Sequence, residues 1–310
     1  MNHRSFASRL ADRARGTVHA DYPLAGLTTY RVGGPALVYF EPHDAGDIEV
    51  LVEALADEGE VPVLALGRGS NIVVSDSGFP GLVIRLGMPF SWIRQEGEAG
   101  MVAGGATPLP MVANWAARRG LAGLEFAIAI PGSVGGGVRM NAGAHGGEIV
   151  DVLRKVTIAD LRGGSVSERP AGALGLTYRH SDVPDAHLVL DATMELRPED
   201  EGAVRARMDG YRKHRAETQP GALQNAGSTF KNPPGDSAGR LVEAAGLKGH
   251  RVGRVSVSEL HANFFIAEKG ATAQQVFDLV HEVRRLVAER MAVELQPEVR
   301  FVGQFEGEAA

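Results

Sequence analysis

Seven glycines fall between positions 132 and 147, in a segment that runs from Gly132-Ser133-Val134-Gly135-Gly136-Gly137 to Gly146-Gly147. The chain has 40 glycines in all, and they gather at the ends of apolar runs instead of forming low-complexity filler. A backbone so poor in Cβ atoms suits tight turns and close approach to a ligand, not a flexible linker. Two readings of 132–147 stand side by side. The segment can lie against a large planar or diphosphate ligand, or it can be a structural loop packed under another domain.

A second glycine loop, Gly67-Arg68-Gly69-Ser70-Asn71, follows the apolar run Val61–Leu66. It can present successive backbone N–H groups to a phosphate, with Ser70, Asn71 and Arg68 adding donors and charge. As five residues alone it reads first as an ordinary strand-to-strand turn, since glycine loops are common. It lacks the GxGxxG of a Rossmann fingerprint and the Gly-Lys-Ser/Thr of a Walker loop. Two separate glycine loops suit a dinucleotide better than a mononucleotide.

Composition narrows the function classes. With 310 residues, 44% of them hydrophobic, the chain can bury a large core divided among two or three domains. A net charge of -6 disfavours a general nucleic-acid binder, which carries a basic face. The absence of cysteine excludes disulfides, thiolate nucleophiles and cysteine-ligated metal or iron–sulfur sites. The ten histidines show no HExxH or other metal spacing, so no metal is expected. No stretch is apolar enough for a membrane helix, and the segment bearing Arg4, Arg9, Arg13 and Arg15 has no apolar run of a secretory signal. A cytoplasmic protein, monomeric and without nucleic-acid or membrane partners, is expected.

Periodicity predicts an α+β organisation. A short amphipathic helix carries Phe6 and Leu10 on one face. Leu37–Phe40 reads as a strand, followed by a helix that starts at Asp44, buries Ile48, Leu51, Val52 and Leu55, and closes at Gly59. Strands are expected at 61–66, 72–74, 82–86, 101–104, 155–161, 187–196 and 299–302. A helix capped by Thr107 is expected to end at Gly120, with others around 204–211 and 237–245. The clearest spans Thr272–Met291, with a Thr272/Gln275 capping box and a core stripe from Val276 to Val287. The divisions are an N-terminal extension (1–21), α/β subdomains at 22–86 and 87–198, an α+β domain at 199–297 and a terminal strand and tail (298–310).

Three polar groups stand out without deciding anything alone. Tyr178-Arg179 ends an apolar stretch, and an Arg there can hold a carboxylate or a developing oxyanion, or simply face solvent. Gly227-Ser228-Thr229-Phe230-Lys231-Asn232-Pro233 sets a hydroxyl in a tight turn beside Lys231 and Asn232, where serine is ordinarily a turn former. No Gly-x-Ser-x-Gly elbow is present, so serine hydrolysis is disfavoured. Glu298 follows Gln296-Pro297 just before an apolar strand and, by itself, reads as an exposed carboxylate.

Taken in order, seven segments carry more weight. Thr29–Pro35, Leu66–Asn71, Leu124–Gly136, Met140–Gly143, Tyr178-Arg179, Gly227–Pro233 and Leu295–Arg300 resemble, over about residues 22–305, the UDP-N-acetylenolpyruvoylglucosamine reductase family of peptidoglycan precursor synthesis. The resemblance implies the FAD-binding fold of the vanillyl-alcohol-oxidase/PCMH type plus a C-terminal α+β substrate domain. It implies non-covalent FAD, its diphosphate cradled by Gly67, Arg68, Gly69, Ser70 and Asn71 and by Pro131, Gly132, Ser133, Gly135 and Gly136. Asn141 and Ala142 would lie along the same ligand, with Arg31 and Gly33 at its edge. NADPH is the implied co-substrate and UDP-N-acetylglucosamine enolpyruvate the implied acceptor. Arg179 corresponds to the enolate-binding residue, Ser228 to the proton donor and Glu298 to the carboxylate partner, while Tyr178, Lys231 and Asn232 correspond to substrate contacts.

Some features depart from the family pattern. Only 48 residues separate Arg179 from Ser228, so the chain resembles the shorter, second type of the family and carries no inserted tyrosine loop. Leu223–Ala226 replaces a more proline-rich approach to the Gly-Ser turn, and Gly135–Gly137 is richer in glycine than the usual run, which suggests extra flexibility. Two rivals remain at this level: another FAD-linked oxidase or dehydrogenase with a histidine-tethered flavin, and a nucleotide-sugar binding module without turnover. Flavin colour, and its survival or loss on acid precipitation, separates the three.

Overall fold

The computed structural model describes residues 2–58, 60–221 and 223–307. The chain forms two compact units, one made of 1–21, 37–68 and 81–215, the other of 22–36, 69–80 and 216–310. The segment 22–86, expected as one subdomain, therefore contributes to both.

In the first unit, helix α1 (His3–Arg13) lays Phe6, Ala7 and Leu10 into a core shared with helix α2 (Ala45–Ala56). The four N-terminal arginines are ion-paired at the surface, Arg4 with Asp21, Arg9 with Glu58, Arg13 with Glu53 and Arg15 with Asp44. Exposed pairs of this kind each stabilise by at most about 1 kcal/mol, so the apolar face is what seats the helix. Asp44 caps α2 by accepting from the Asp47 N–H (3.3 Å), and Gly59 lies outside the described residues. A four-stranded sheet runs in the order Thr17–Pro23, Pro35–Glu41, Phe79–Ile84, Val63–Ala65.

A second, larger sheet of this unit has five antiparallel strands in the order Ser165–Pro170, Leu153–Asp160, His187–Glu195, Gly100–Gly104, Ile93–Glu96. Helix α3 (Leu109–Ala117) packs Leu109, Val112, Ala113 and Ala116 into its core. Its N-cap is Pro108, not Thr107. The Thr107 hydroxyl instead donates to the Trp92 carbonyl (3.0 Å) and accepts from the Trp92 N–H (3.1 Å), pinning a strand start. Residues 134–139, expected as part of an open glycine path, form a short helix, α4 (Val134–Arg139), with Ser133 as its cap. Helix α5 (Glu201–Thr218) completes the unit through buried Val204 and Met208.

In the second unit Ile72–Val74 pairs in parallel with Arg300–Val302. Helix α6 (Ala238–Ala244) and helix α7 (Ala273–Met291) pack on a three-stranded sheet of Arg251–Val252, Val255–Val257 and Phe265–Ala267. Helix α7 keeps the expected Thr272/Gln275 capping box. The Leu223–Ala226 approach is tied down: the Gln224 carbonyl accepts from the Ala267 N–H (2.9 Å), and Asn225 Oδ1 accepts from the Gly227 N–H (2.9 Å).

Asn263 organises the following segment. Its carbonyl accepts from the Thr229 N–H (2.8 Å), and its buried amide side chain accepts from the Phe230 N–H (2.9 Å) and donates to the Phe230 carbonyl (2.8 Å). The Asn263 N–H in turn donates to Nδ1 of His261 (3.2 Å), which only an imidazole unprotonated at Nδ1 accepts. Removing this side chain leaves two buried backbone groups unpaired, so Asn263→Ala should destabilise the protein by about 2–4 kcal/mol, seen as a lowered denaturation midpoint.

Burial holds the His261 pKa below its ordinary 6.5. The unfolded chain therefore takes up a proton near that value which the folded chain refuses, so stability is complete above it and falls as pH drops through it. Thermal melts from about pH 7.5 to about pH 5.5 should show this decline, and His261→Asn, an acceptor that does not titrate, should flatten it.

Candidate functional site

An open cleft lies in the first unit, bordered by Gly67, Arg68, Arg85, Arg139 and His187 together with Ser133, Gly135 and Gly136. Its glycines are there for close packing. A Cβ at Gly105 would run into the Val189 carbonyl, and one at Gly135 would sit 3.2 Å from the Gly105 oxygen and 3.4 Å from the Val189 oxygen. A Cβ at Gly67 would come within 2.9 Å of Ser133 Oγ. Bare backbone on two walls and three guanidinium groups around them fit an elongated anionic ligand such as the diphosphate of FAD. Arg139 is itself held by Asp185 and by the Pro184 carbonyl (3.0 Å).

Of the residues expected at the diphosphate, Gly67, Arg68, Ser133, Gly135 and Gly136 border this cleft. Gly69, Ser70 and Asn71 belong to the second unit, as do Arg31 and Gly33. Asn71 donates its amide to the Glu298 carbonyl (3.1 Å), and its own carbonyl accepts from the Arg300 N–H (3.1 Å). Gly69 has φ +62° and packs on Thr28, where a Cβ would lie 2.7 Å from the Thr28 Cα. The Gly132 carbonyl accepts from the Leu109 N–H (3.0 Å), and Pro131 precedes it.

Arg179 occupies a tight polar corner of the same unit. Its Nη2 donates to the Gly143 carbonyl (2.6 Å), its Nη1 lies 3.7 Å from Oε1 of Glu148, and its guanidinium stands 4.9 Å from the Tyr178 ring centre. Asn141 is fully buried here, donating to Glu148 Oε2 (2.9 Å) and to the Thr177 carbonyl (3.0 Å) and accepting from the Val150 N–H (2.9 Å). Ala142 packs against the apolar core beside it.

The segments that carry Ser228 and Glu298 pair in the second unit. Gly227, with φ +74°, turns the chain into Ser228, which bridges Phe264, while Phe230 bridges Pro297. The Glu298 N–H donates to the Thr229 carbonyl (2.8 Å), and the Lys231 N–H donates to the Gln296 carbonyl (2.8 Å). The two segments thus run side by side, with Ser228 and Glu298 on neighbouring extended backbones. Below them Tyr30 is fully buried, and burial raises its phenol pKa well above the ordinary value. Asn232 departs from a purely substrate-facing role: its Oδ1 accepts from the Ala238 N–H (3.0 Å) at the start of α6.

Sequence reasoning missed Arg85, Arg139, His187 and Glu148. Arg85 and His187 lie at the ends of strands distant in sequence, so no local motif marks them. Glu148 did leave a signal, a lone carboxylate closing the glycine-rich segment.

Comparison with known proteins agrees with this geometry. Residues 36–168 match the FAD binding domain family, and residues 219–302 match the family described as UDP-N-acetylenolpyruvoylglucosamine reductase, C-terminal domain. Similar curated proteins include the UDP-N-acetylenolpyruvoylglucosamine reductase of Acidiphilium cryptum, 46% identical over 93% of this chain and 92% of that protein. UDP-N-acetylenolpyruvoylglucosamine reductase 2 of Symbiobacterium thermophilum is 45% identical over 96% and 97%. Among solved structures, UDP-N-acetylenolpyruvylglucosamine reductase from Thermus caldophilus superposes with a TM-score of 0.79 at 35% identity, covering 93% of this chain and 99% of that one. The C-terminal match decides against a general FAD-linked oxidase, and the FAD-domain match bears out the flavin part of the expected fold. The chain belongs to the UDP-N-acetylenolpyruvoylglucosamine reductase family of FAD-binding oxidoreductases.

Proposed function

We propose that this enzyme reduces UDP-N-acetylglucosamine enolpyruvate to UDP-N-acetylmuramate at the expense of NADPH, in the synthesis of peptidoglycan precursor. The observation that carries the reading is the pairing of the Ser228 and Glu298 segments through the Glu298 N–H and Thr229 carbonyl. It supports the reading by running the backbones that carry Ser228 and Glu298, distant in sequence, side by side. The reading takes the enzyme as a cytoplasmic monomer.

The chemistry that bound, non-covalent FAD would supply, once reduced by NADPH, is hydride for the CH2 carbon of the enolpyruvyl group. Gly67, Arg68, Ser133, Gly135 and Gly136 would hold its diphosphate, with Arg85, Arg139 and His187 supplying further donors. Hydride arrival leaves negative charge on the enolate oxygens. Arg179 offers a permanent positive charge, and such preorganised stabilisation is commonly the largest catalytic contribution. Glu298, protonated or hydrogen-bonded, would steady the same carboxylate. Ser228 delivers the proton to the carboxylate-bearing carbon. A serine hydroxyl is a weak acid, and it serves here because a carbon-centred enolate is a far stronger base. Tyr178, Lys231 and the amide of Asn232 are assigned to the sugar nucleotide.

Two outcomes test this. Ser228→Ala should leave flavin reduction by NADPH nearly intact and slow flavin reoxidation by the enolpyruvyl substrate by ~10² or more in anaerobic stopped-flow traces. Ser228→Cys, a better acid of similar size, should recover part of the loss, whereas equal damage to both half-reactions would make the serine structural. Gly135→Val, which pushes a branched side chain toward the Gly105 and Val189 oxygens, should give protein with little bound flavin, read directly from its visible absorption band.

A further inference from the structure

Six non-glycine residues among those described have φ in the left-handed region, and three of them, Asn141 (+40°), His145 (+53°) and Arg179 (+55°), converge on one corner of the first unit. Strain of this kind persists only where surrounding contacts over-determine it, and it concentrates at functional positions. Glu148 is the group that Asn141 and Arg179 share, and His145 sits at the tip of the same hairpin. Its carboxylate accepts from Asn141 Nδ2 (2.9 Å) on one oxygen and lies 3.7 Å from Arg179 Nη1 on the other.

The backbone around Glu148 is equally constrained. Glu148 pairs with Gly143 in a two-stranded hairpin, so the carbonyl that accepts from Arg179 Nη2 (2.6 Å) and the carboxylate beside Nη1 stand on opposite strands of one ladder. The Glu148 N–H donates to Asp151 Oδ2 (2.8 Å), and its side chain accepts from the Asp151 N–H in return. At the hairpin tip His145 stacks on Tyr211 of α5 with ring centres 4.1 Å apart and planes within 2°. Asn141 also donates to the Thr177 carbonyl two residues before Arg179 (3.0 Å), tying the hairpin to the Tyr178-Arg179 turn.

We propose that Glu148 is the positioning residue of Arg179: together with the Gly143 carbonyl it aims the guanidinium and partly offsets its charge until an anionic substrate group arrives. A lone Arg has many rotamers, and a guanidinium held by one carbonyl hydrogen bond and one carboxylate ion pair on a hairpin has few. The geometry also implies a trade-off. A carboxylate 3.7 Å from the guanidinium opposes an incoming enolpyruvyl carboxylate, so Glu148 costs some affinity for substrate while it improves aim. The inference rests on the proposed role of Arg179 in the second half-reaction.

The test is a double-mutant cycle on the flavin-loaded enzyme. Glu148→Gln keeps the shape and the acceptor for Asn141 but removes the charge. It should leave flavin content and reduction by NADPH unchanged, slow maximal flavin reoxidation by about 10-fold or more, and leave the substrate KM unchanged or lower. Glu148→Asp, which keeps the charge but draws it back by one methylene, should slow reoxidation without lowering KM. In an Arg179→Lys background either change should add little, because its route of action is already lost. Wild-type reoxidation in both Glu148 variants, equal loss in both half-reactions, or losses that add fully to that of Arg179→Lys would overturn the proposal. Full activity in Arg179→Lys and Arg179→Ala would instead remove the reading of Arg179 on which it rests.

Discussion

The oxygen of Val189 stands where a side chain at position 105 would have to go, and close to where one at 135 would have to go. That approach of one backbone to two others is the constraint on which the first unit depends. It lets α4 sit against the five-stranded sheet without a layer of side chains between them, and it leaves the cleft walled by bare backbone. The arginines around it, 68, 85 and 139, then supply charge where the glycines leave room. Steric economy and electrostatics therefore act on the same few positions.

A comparable constraint governs the second unit, but it works through hydrogen bonds. One buried side chain, Asn263, satisfies both backbone groups of Phe230 while its own carbonyl holds Thr229. Ser228 is the residue just before this clamp, and Glu298 is fastened to the carbonyl between them. The serine is thus set by backbone bonds on both flanking segments, which is the kind of support a group needs if a small displacement is to cost much activity. Arg179 is supported differently, by strained backbone and by acceptors on a hairpin. Both arrangements fix a polar group through its neighbours.

Much of this was legible in the chain. Helix α7, with its capping box and apolar stripe, needs only local information, since the 3.6-residue period and the cap chemistry are set by near neighbours. The strands at 37–40, 72–74, 101–104 and 187–196 announced themselves as short apolar runs in the same way. Family membership was readable because seven motifs kept their order, although Gly227-Ser228 or Tyr178-Arg179 alone supports nothing beyond a turn. Thr107 was misread by one position: a threonine before proline is a good cap locally, but here a strand partner at Trp92 competes for its hydroxyl.

Local chemistry thus settled the type of the strongly periodic elements, the absence of cysteine chemistry and the order of motifs, because those follow from the residues themselves and their near neighbours. Which strand pairs with which did not follow. Ile72–Val74 joins Arg300–Val302 across more than two hundred residues, and the segment 22–86 is divided between two units. The glycine-rich stretch could be seen as close-packing backbone, yet only the fold made 134–139 a helix and gave Asn141 to Glu148 and Thr177. Arg85 and His187 acquire meaning only from cleft neighbours far away in sequence. Long-range partners are selected by the summed burial and hydrogen bonding of the whole chain, and no single segment contains that sum.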